Sequence, residues 1–380
     1  MYHELRKRGT SRPAVLIAAP SGRALAASAR RGGYVPLVAD FFGDEDTLAL
    51  AQHARIENGL EEGMDERRLI AALDALSAAH HPIGVVCGSG FEDRPHLLAR
   101  VAERWRLLGN DPHVVATVKH PVTFAALCRD CGIPHPDTAT SPPADPAGWL
   151  AKRTGGTGGS HIAMTVAPYD ASDDYYFQRE TRGAPISALF LAHGGRAVVI
   201  GFSAQWPLPT RSRPFRYGGA VRPADLAPNL AETLTGAVAR LVRAIPLVGL
   251  NSADFLVDGD EFRLLEINPR PGATLDIFEP VEGSLFALHI AACEGELDAA
   301  PPRMGGAQAA VTVYAECDIA SLPAVRWPDW AADRSKPGTA FKVGEPLCTV
   351  SATAATAAAA KALVNERLAL VLAWTHARMS

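Results

Sequence analysis

The sequence predicts a mixed α/β (α+β) chain of several domains, opened by a parallel sheet with helices on its faces. Three observations carry this. Pro13 to Ala19, a helix over 21–31 and Tyr34 to Phe41 make a β-α-β start, which commits the first sheet to parallel pairing. The stretch from Trp149 to about Gly219 reads as β-rich. Asn251 to Val257 and Phe262 to Asn268 read as two strands joined by the turn Asp258-Gly259-Asp260. At 380 residues the chain is too long for one small core, and two or three domains are expected.

The elements follow in order. Ser21 is a plausible N-cap for the first helix, which Gly32 and Gly33 end after Arg31. Glu66 to Ala79 is a helical pattern, and Pro82 to Gly88 a short buried strand. That strand opens into Ser89 to Asp93, at a strand end where open α/β sheets place ligands. Arg94 to Leu108 reads as a helix; Pro121 starts another, through about Arg129, stopped by Gly132 to Pro136. Thr138 to Gly148 reads as a surface connection. Glu232 to Ile245 is an amphipathic helix, and an Ala-rich helix runs from about Ala354 to Ala377. No GxGxxG or GxxxxGK[ST] pattern occurs, so a dinucleotide or P-loop reading lacks its main support.

Composition narrows the partners. The formal net charge is −4, mixed in sign, with no basic tail or stripe to suggest nucleic acid. Arg6, Lys7 and Arg8 precede an apolar run too short for a signal-peptide core. No segment approaches the roughly 20 apolar residues that span a bilayer, so no membrane partner and a cytoplasmic location are expected. Among six cysteines only Cys128 and Cys131 form a CxxC, which fits reduced thiols better than a metal or redox pair.

Three segments carry chemistry. Lys152 runs into a loop holding Gly155, Gly156, Thr157, Gly158 and Gly159. Glycines let backbone N–H groups turn toward an anion, and a preceding lysine suits phosphate oxygens. In Tyr175 to Ala192, a polar link joins two strands and offers backbone groups and Glu180 to a purine edge or ribose hydroxyl. In Leu264-Leu265-Glu266-Ile267-Asn268-Pro269-Arg270, Glu266, Asn268 and Arg270 share one strand face, with Leu265 and Ile267 on the other. With the turn at 258–260, Asp254 falls opposite Leu264 and diagonal to Glu266, close enough to share an ion. Hard oxygens completed by phosphates suit Mg²⁺. Arg211, Arg213 and Arg216 cluster where an acid could be held, and Glu92 where an amine could be met.

Together these segments resemble the ATP-grasp superfamily over about residues 13–295. The resemblance implies a Rossmann-like pre-ATP-grasp domain (1–112), a small lobe with the glycine-rich loop (113–183), a large lobe with the magnesium site (184–300) and a C-terminal lobe (301–380). It implies ATP and Mg²⁺ as cofactors. Lys119 and Lys152 then look like the lysines on the ATP phosphates, and 155–159 like the mobile loop over them. Gln178, Arg179 and Glu180 look like the adenine hinge, and Asp254, Glu266 and Asn268 like the metal ligands. Arg270 looks like the acyl-phosphate stabiliser. The first metal ligand is Asp where Glu is more frequent. The implied activity is an ADP-forming carboxylate–amine ligase working through an acylphosphate, on a small carboxylic acid and an amine. A bicarbonate-using carboxylase and a non-catalytic nucleotide binder are the alternatives. The overall likeness is to carboligase-like proteins of tetrahydromethanopterin- and methanofuran-linked one-carbon metabolism, which points to pterin or furan cofactor assembly. Similar proteins are commonly homodimers.

Overall fold

A computed structural model describes residues 12–57, 63–165 and 174–379, and side chains as far as Thr375. Arg6, Lys7, Arg8 and residues 166–173 of the β-rich stretch lie outside the described residues.

The first body contains β1 (Ala14–Ala18), α1 (Arg23–Arg31), β2 (Val35–Asp40), α2 (Glu45–Leu50), β3 (Gln52–Arg55), α3 (Glu66–Ala78), β4 (Val85–Cys87) and α4 (Pro95–Ala102). Its sheet is parallel, in the order β3-β2-β1-β4. β1 is apolar throughout because both its faces are covered. Val15 and Ile17 join one buried cluster, and Leu16 and Ala18 another. Two expectations are corrected here. Position 22, not Ser21, precedes α1: the Asp40 carboxylate accepts the Gly22 N–H at 3.0 Å, and the Ser21 hydroxyl is turned to Asp333. The helix expected through Leu108 stops at Ala102 because the following chain is captured by β4. Val85 N–H donates to the Arg106 carbonyl at 2.9 Å, and Leu108 N–H to the Val85 carbonyl at 2.8 Å.

Two short helices follow, α5 (Pro112–Lys119) and α6 (Pro121–Asp130). Asp111 caps α5 by accepting the His113 N–H, and Pro112 sits in its first turn, where the missing donor costs nothing. A small antiparallel sheet comes next, from β5 (Thr138–Ala139), β6 (Trp149–Arg153), β7 (Ile162–Met164) and β8 (Tyr175–Arg179), in the order β5-β8-β6-β7.

The third body is one eight-stranded sheet. It uses β9 (Ala184–His193), β10 (Arg196–Pro207), β11 (Tyr217–Arg222), then α7 (Pro228–Ala244), β12 (Gly249–Asp258), β13 (Glu261–Asn268), α8 (Leu285–Cys293), β14 (Ala307–Tyr314), β15 (Ala331–Ala332), β16 (Pro346–Ala354) and α9 (Ala357–Met379). Its order is β13-β12-β9-β10-β11-β14-β16-β15, so β14 extends the sheet from β11. The apolar stripe of α7 (Leu230, Leu234, Val238, Leu241) packs with Phe190, Phe255, Leu264 and Ile267. Burying each such side chain contributes about 1.5–3 kcal/mol, which fixes β12 and β13 as a rigid floor. Among the described residues no helix is long and apolar enough to cross a membrane.

Candidate active site

The floor of the site is the β12–β13 hairpin, and its register differs from the expected one. The turn has two residues, Gly259 and Asp260, between the paired Asp258 and Glu261. A bulge then interrupts the ladder: Phe255 pairs with Leu264, but Asp254 pairs directly with Glu266. Leu265 is the extra residue. A bulge re-aims side chains, and here it keeps Leu264 and Ile267 in the core while turning Leu265 beside Glu266 into a cleft. Leu265 therefore does not share the back face with Ile267. The bulge makes the two carboxylates cross-strand partners instead of diagonal neighbours.

Their hydrogen bonds order the pair. Asp254 Oδ1 accepts from Ser187 Oγ at 2.6 Å, and Asp254 Oδ2 from Asn268 Nδ2 at 2.9 Å. This fixes the Asn268 amide with its carbonyl oxygen away from Asp254. That oxygen and Glu266 Oε2 both accept from Lys119 Nζ, at 3.0 and 2.9 Å. Burial and the facing Glu266 push the Asp254 carboxyl up to about 6. Burial also acts to raise Glu266, but Lys119 and Lys152 outweigh it and hold this carboxyl down at about 2.

Lys119 ends α5 and is buried; the lysine that precedes Pro121 in sequence is thus presented by a helix C-terminus. Lys152, also buried, projects from β6 and donates to Gln178 Oε1 at 3.0 Å on β8. Burial lowers its pKa, opposed by Glu266. Gln178 faces inward, while Arg179 and Glu180 are exposed. Arg179 stacks on Trp149 at 5.1 Å, and Glu180 lies along an outer groove with His135 and Leu256. A cleft is lined by Lys119, His135, His161, Tyr176, Gln178 and Glu266.

The glycine-rich loop closes one side. Gly155 packs so tightly on the backbone of Glu92 and Asp93 that a Cβ would sit 2.5 Å from Asp93 Cα. At the other end Tyr217 N–H donates to the Gly158 carbonyl at 2.8 Å, and a Cβ on Gly159 would overlap the Phe215 carbonyl. Both Gly155 and Gly159 have positive φ.

Arg270 lies beyond the end of β13. Its Nε donates to Glu92 Oε1 at 2.7 Å, and one Nη lies 3.4 Å from Asn268 Oδ1. Glu92 is buried, and its other oxygen accepts the Gly90 and Phe91 N–H groups at 2.7 and 3.1 Å. Burial acts to raise its pKa, but Arg270 and Lys119 outweigh it and leave Glu92 ionised. Both Glu92 oxygens are therefore committed within the chain. Beside the pair is a second cavity, lined by apolar Phe91, Leu98, Leu107 and Val115 together with Glu92 and Arg270. Asn110, unremarked in the sequence, fixes this corner by donating to the Pro269 carbonyl at 2.9 Å.

The arginine cluster is spread out. Arg211 is exposed and Arg213 half-buried, while Arg216 is buried, stacked on Tyr314 at 3.8 Å and donating to the Leu208 carbonyl. Arg216 is thus held by β14 and by its own loop. Cys128 and Cys131 are free, and burial pushes the Cys128 thiol up to about 12, as for an inert buried thiol.

The oxygens around Lys119 suit a divalent ion. An ammonium already bridges Glu266 and Asn268, so the position is one where positive charge is stabilised. Among the described residues no group of three or more His, Cys, Asp or Glu could hold a metal by itself. Two carboxylates and an amide instead fit an ion completed by phosphate oxygens and water.

Residues 122–274 match the ATP-grasp domain family model. A curated relative is the carbamoyl phosphate synthase large chain of Rubrobacter xylanophilus, 26% identical over 227 residues, 53% of this chain. The chain spans only 21% of that relative's length. Among solved structures, the biotin carboxylase domain dimer of Hydrogenobacter thermophilus 2-oxoglutarate carboxylase, in complex with MgADP, ADP and bicarbonate, matches with TM-score 0.70 and 13% identity, over 91% of this chain and 87% of that one. The N5-carboxyaminoimidazole synthase of Aspergillus clavatus, in complex with ADP and 5-aminoimidazole ribonucleotide, matches with TM-score 0.67 and 13% identity, over 95% of this chain and 99% of that one. The chain carries an ATP-grasp domain, and its architecture is the ATP-grasp fold.

Proposed function

We propose that this chain, which carries an ATP-grasp domain, is an ADP-forming carboxylate–amine ligase that works through an acylphosphate. The observation behind this reading is the polar network bordering the cleft: Lys119 holds Glu266 and Asn268, Asn268 holds Asp254, Lys152 holds Gln178, and Glu92 holds Arg270.

In this reading ATP enters the cleft with its purine edge toward Gln178 and the backbone of Arg179 and Glu180, whose side chains turn outward. Lys152 and Lys119 take phosphate oxygens, with Lys119 exchanging its contacts to Glu266 and Asn268 for the nucleotide. Glu266 and Asn268, with Asp254, would hold Mg²⁺, which would screen charge between the acid and the triphosphate. The acid lies beside Arg270, in the cavity shared with Glu92. Its carboxylate attacks the γ-phosphorus, ADP leaves, and the Arg270 guanidinium offsets charge on the transferring group. The loop 155–159, docked at both ends, keeps water off the acylphosphate. An amine then attacks the acyl carbon, phosphate leaves, and a C–N bond remains. Glu92 serves Arg270 instead of meeting the amine, since both its oxygens are committed. The acid and amine are small molecules, and the resemblance points to a pterin or furan one-carbon carrier. A homodimer is part of the same reading.

One observation favours a second reading, ATP-dependent carboxylation: the solved neighbour from Hydrogenobacter thermophilus, which aligns over 91% of this chain, is a biotin carboxylase domain in complex with bicarbonate. Hydroxylamine trapping separates the two. With ATP, Mg²⁺ and a panel of carboxylic acids, the ligase reading expects a hydroxamate from at least one acid. Bicarbonate as the sole acid that sustains ADP release would favour the carboxylase.

A further inference from the structure

The cavity beside Glu92 and Arg270 is walled by Cys87 at the end of β4, Phe91, Leu98 of α4, Leu107, Gly109 and Val115 of α5. Few polar side chains line it, and all but one are committed within the chain. Glu92 accepts from Arg270, Gly90 and Phe91. Asn110 donates both amide hydrogens, to Asn251 Oδ1 at 2.8 Å and to the Pro269 carbonyl at 2.9 Å, and its Oδ1 accepts the Val248 N–H at 2.7 Å. His289 Nδ1 accepts the Leu250 N–H at 2.8 Å, so Nε2 carries the hydrogen and donates to the Leu108 carbonyl at 2.9 Å. Burial keeps the Cys87 thiol neutral. Arg270 differs. Its Nε is on Glu92, but its Nη groups reach only the Pro271 carbonyl and Asn268 Oδ1, each at 3.4 Å, longer than a sound N–H···O bond.

We propose that this cavity is the specificity pocket for the acid, and that it takes the carbon chain of a short aliphatic monocarboxylate bearing no ammonium group, hydroxyl or second carboxylate. The inference rests on the reading that the acid is phosphorylated beside Arg270. The carboxylate meets the Arg270 Nη groups, whose planar fork matches its two oxygens. The chain lies against Phe91, Leu98, Leu107 and Val115, and leaving water for that wall is what favours it. An α-ammonium would need an acceptor here, and both Glu92 oxygens are committed. A hydroxyl or a second carboxylate would be buried without a side-chain partner, which is costly. The hydroxyl of bicarbonate falls under the same exclusion. The enclosed space has room for about one or two water-sized groups, so the chain is short.

Hydroxamate formation by the full chain with MgATP tests this, scored over straight-chain monocarboxylates of rising length, their α-amino and α-hydroxy counterparts, dicarboxylates and bicarbonate. A short monocarboxylate is expected to give the highest kcat/KM, about a hundredfold above its α-amino and α-hydroxy counterparts. A Cβ on Gly109 meets nothing within 4 Å, so Gly109→Ala adds a methyl at this lining position without displacing a neighbour. It is expected to lower kcat/KM for the preferred acid about tenfold, while Val115→Ala, which opens the wall, moves the preference to a longer chain. MgATP affinity, measured by calorimetry, is expected to stay at the wild-type value in both variants, which separates a changed pocket from a failed fold. A best acid that carries an ammonium, a hydroxyl or a second carboxylate overturns the proposal and leaves the ligase reading standing. So does an acid profile that neither variant changes. No hydroxamate from any acid overturns the ligase reading, and this inference with it.

Discussion

Arg270 Nε donates to Glu92 Oε1 at 2.7 Å across 178 residues of chain, joining the turn after the first sheet to the end of β13. Side-chain exposure is 13% for Arg270 and 2% for Glu92, so the pair is largely dry and Glu92 has no other task open to it. The same turn carries the glycine-rich loop on its backbone, through Gly155. Loop closure and the setting of Arg270 thus meet on one short segment.

Glu92→Gln is expected to lower turnover about 10–100-fold, with MgATP affinity nearly unchanged, because Arg270 loses the charge that aims it. Breaking one side of a buried ion pair also costs about 3–5 kcal/mol when the partner stays charged, so the melting temperature falls as well. Steady-state kinetics beside calorimetry of MgATP checks the split. An equal loss of MgATP affinity would place Glu92 on the nucleotide instead.

Glu266→Gln is expected to reduce turnover by about 10²-fold or more and to weaken the response to Mg²⁺. Ser187→Ala removes a donor to Asp254 without touching the ion, and a smaller loss, about tenfold or less, is expected. A Mg²⁺ titration of ADP release in both variants checks the ranking. Full turnover in Glu266→Gln would remove this residue from the metal site.

Gly159→Ala is expected to raise the KM for ATP about tenfold, because a Cβ overlaps the Phe215 carbonyl and the backbone φ of +71° is one that alanine resists. Gly194, also at positive φ but with open space around it, is the control: Gly194→Ala carries the backbone cost alone. Matching kinetics for the two variants would show that loop docking on Phe215 does not matter.

Stability should depend on pH through Asp44, which precedes α2 of the first body. Burial, together with Asp333, Asp40 and Asp46, pushes its carboxyl up from 3.8 to about 8. A group with a raised folded-state pKa favours the fold while protonated. Its contribution is therefore present below about pH 4 and lost as pH rises toward 8. Asp44→Asn keeps an acceptor for Thr47 and removes the charge. Its melting temperature should exceed that of the wild type by a few degrees at pH 8 and match it near pH 4. Parallel thermal melts across that range check the sign.

Much of this was legible in residue order. The β-α-β opening, Lys152 before its glycines, and the Asp-Gly turn before Glu266 and Asn268 are local patterns, set by chain periodicity and turn chemistry. The β12–β13 pairing was not. A bulge adds one unpaired residue at Leu265, and no side chain there announces it, yet it decides whether Asp254 faces Leu264 or Glu266. Lys119 was visible only as a lysine before Pro121, although Asp111 and Pro112 mark the start of the helix that presents it. The helix expected through Leu108 lost its last residues to a strand edge, a long-range competition that propensity does not register. Arg211, Arg213 and Arg216 are neighbours in sequence, but Arg216 is drawn to Tyr314, nearly a hundred residues on. His161 and His135 enter the cleft through packing, with only their places beside the glycine loop and the Pro-rich stop as signals.

The most direct test is ADP release by the full chain with MgATP, scored over carboxylic acids alone, acids paired with amines, and bicarbonate. The ligase reading predicts ADP release that requires both an organic acid and an amine, yields an amide, and disappears in Arg270→Ala. Release sustained by bicarbonate without an amide product, or MgATP binding with no turnover on any acid, would contradict it.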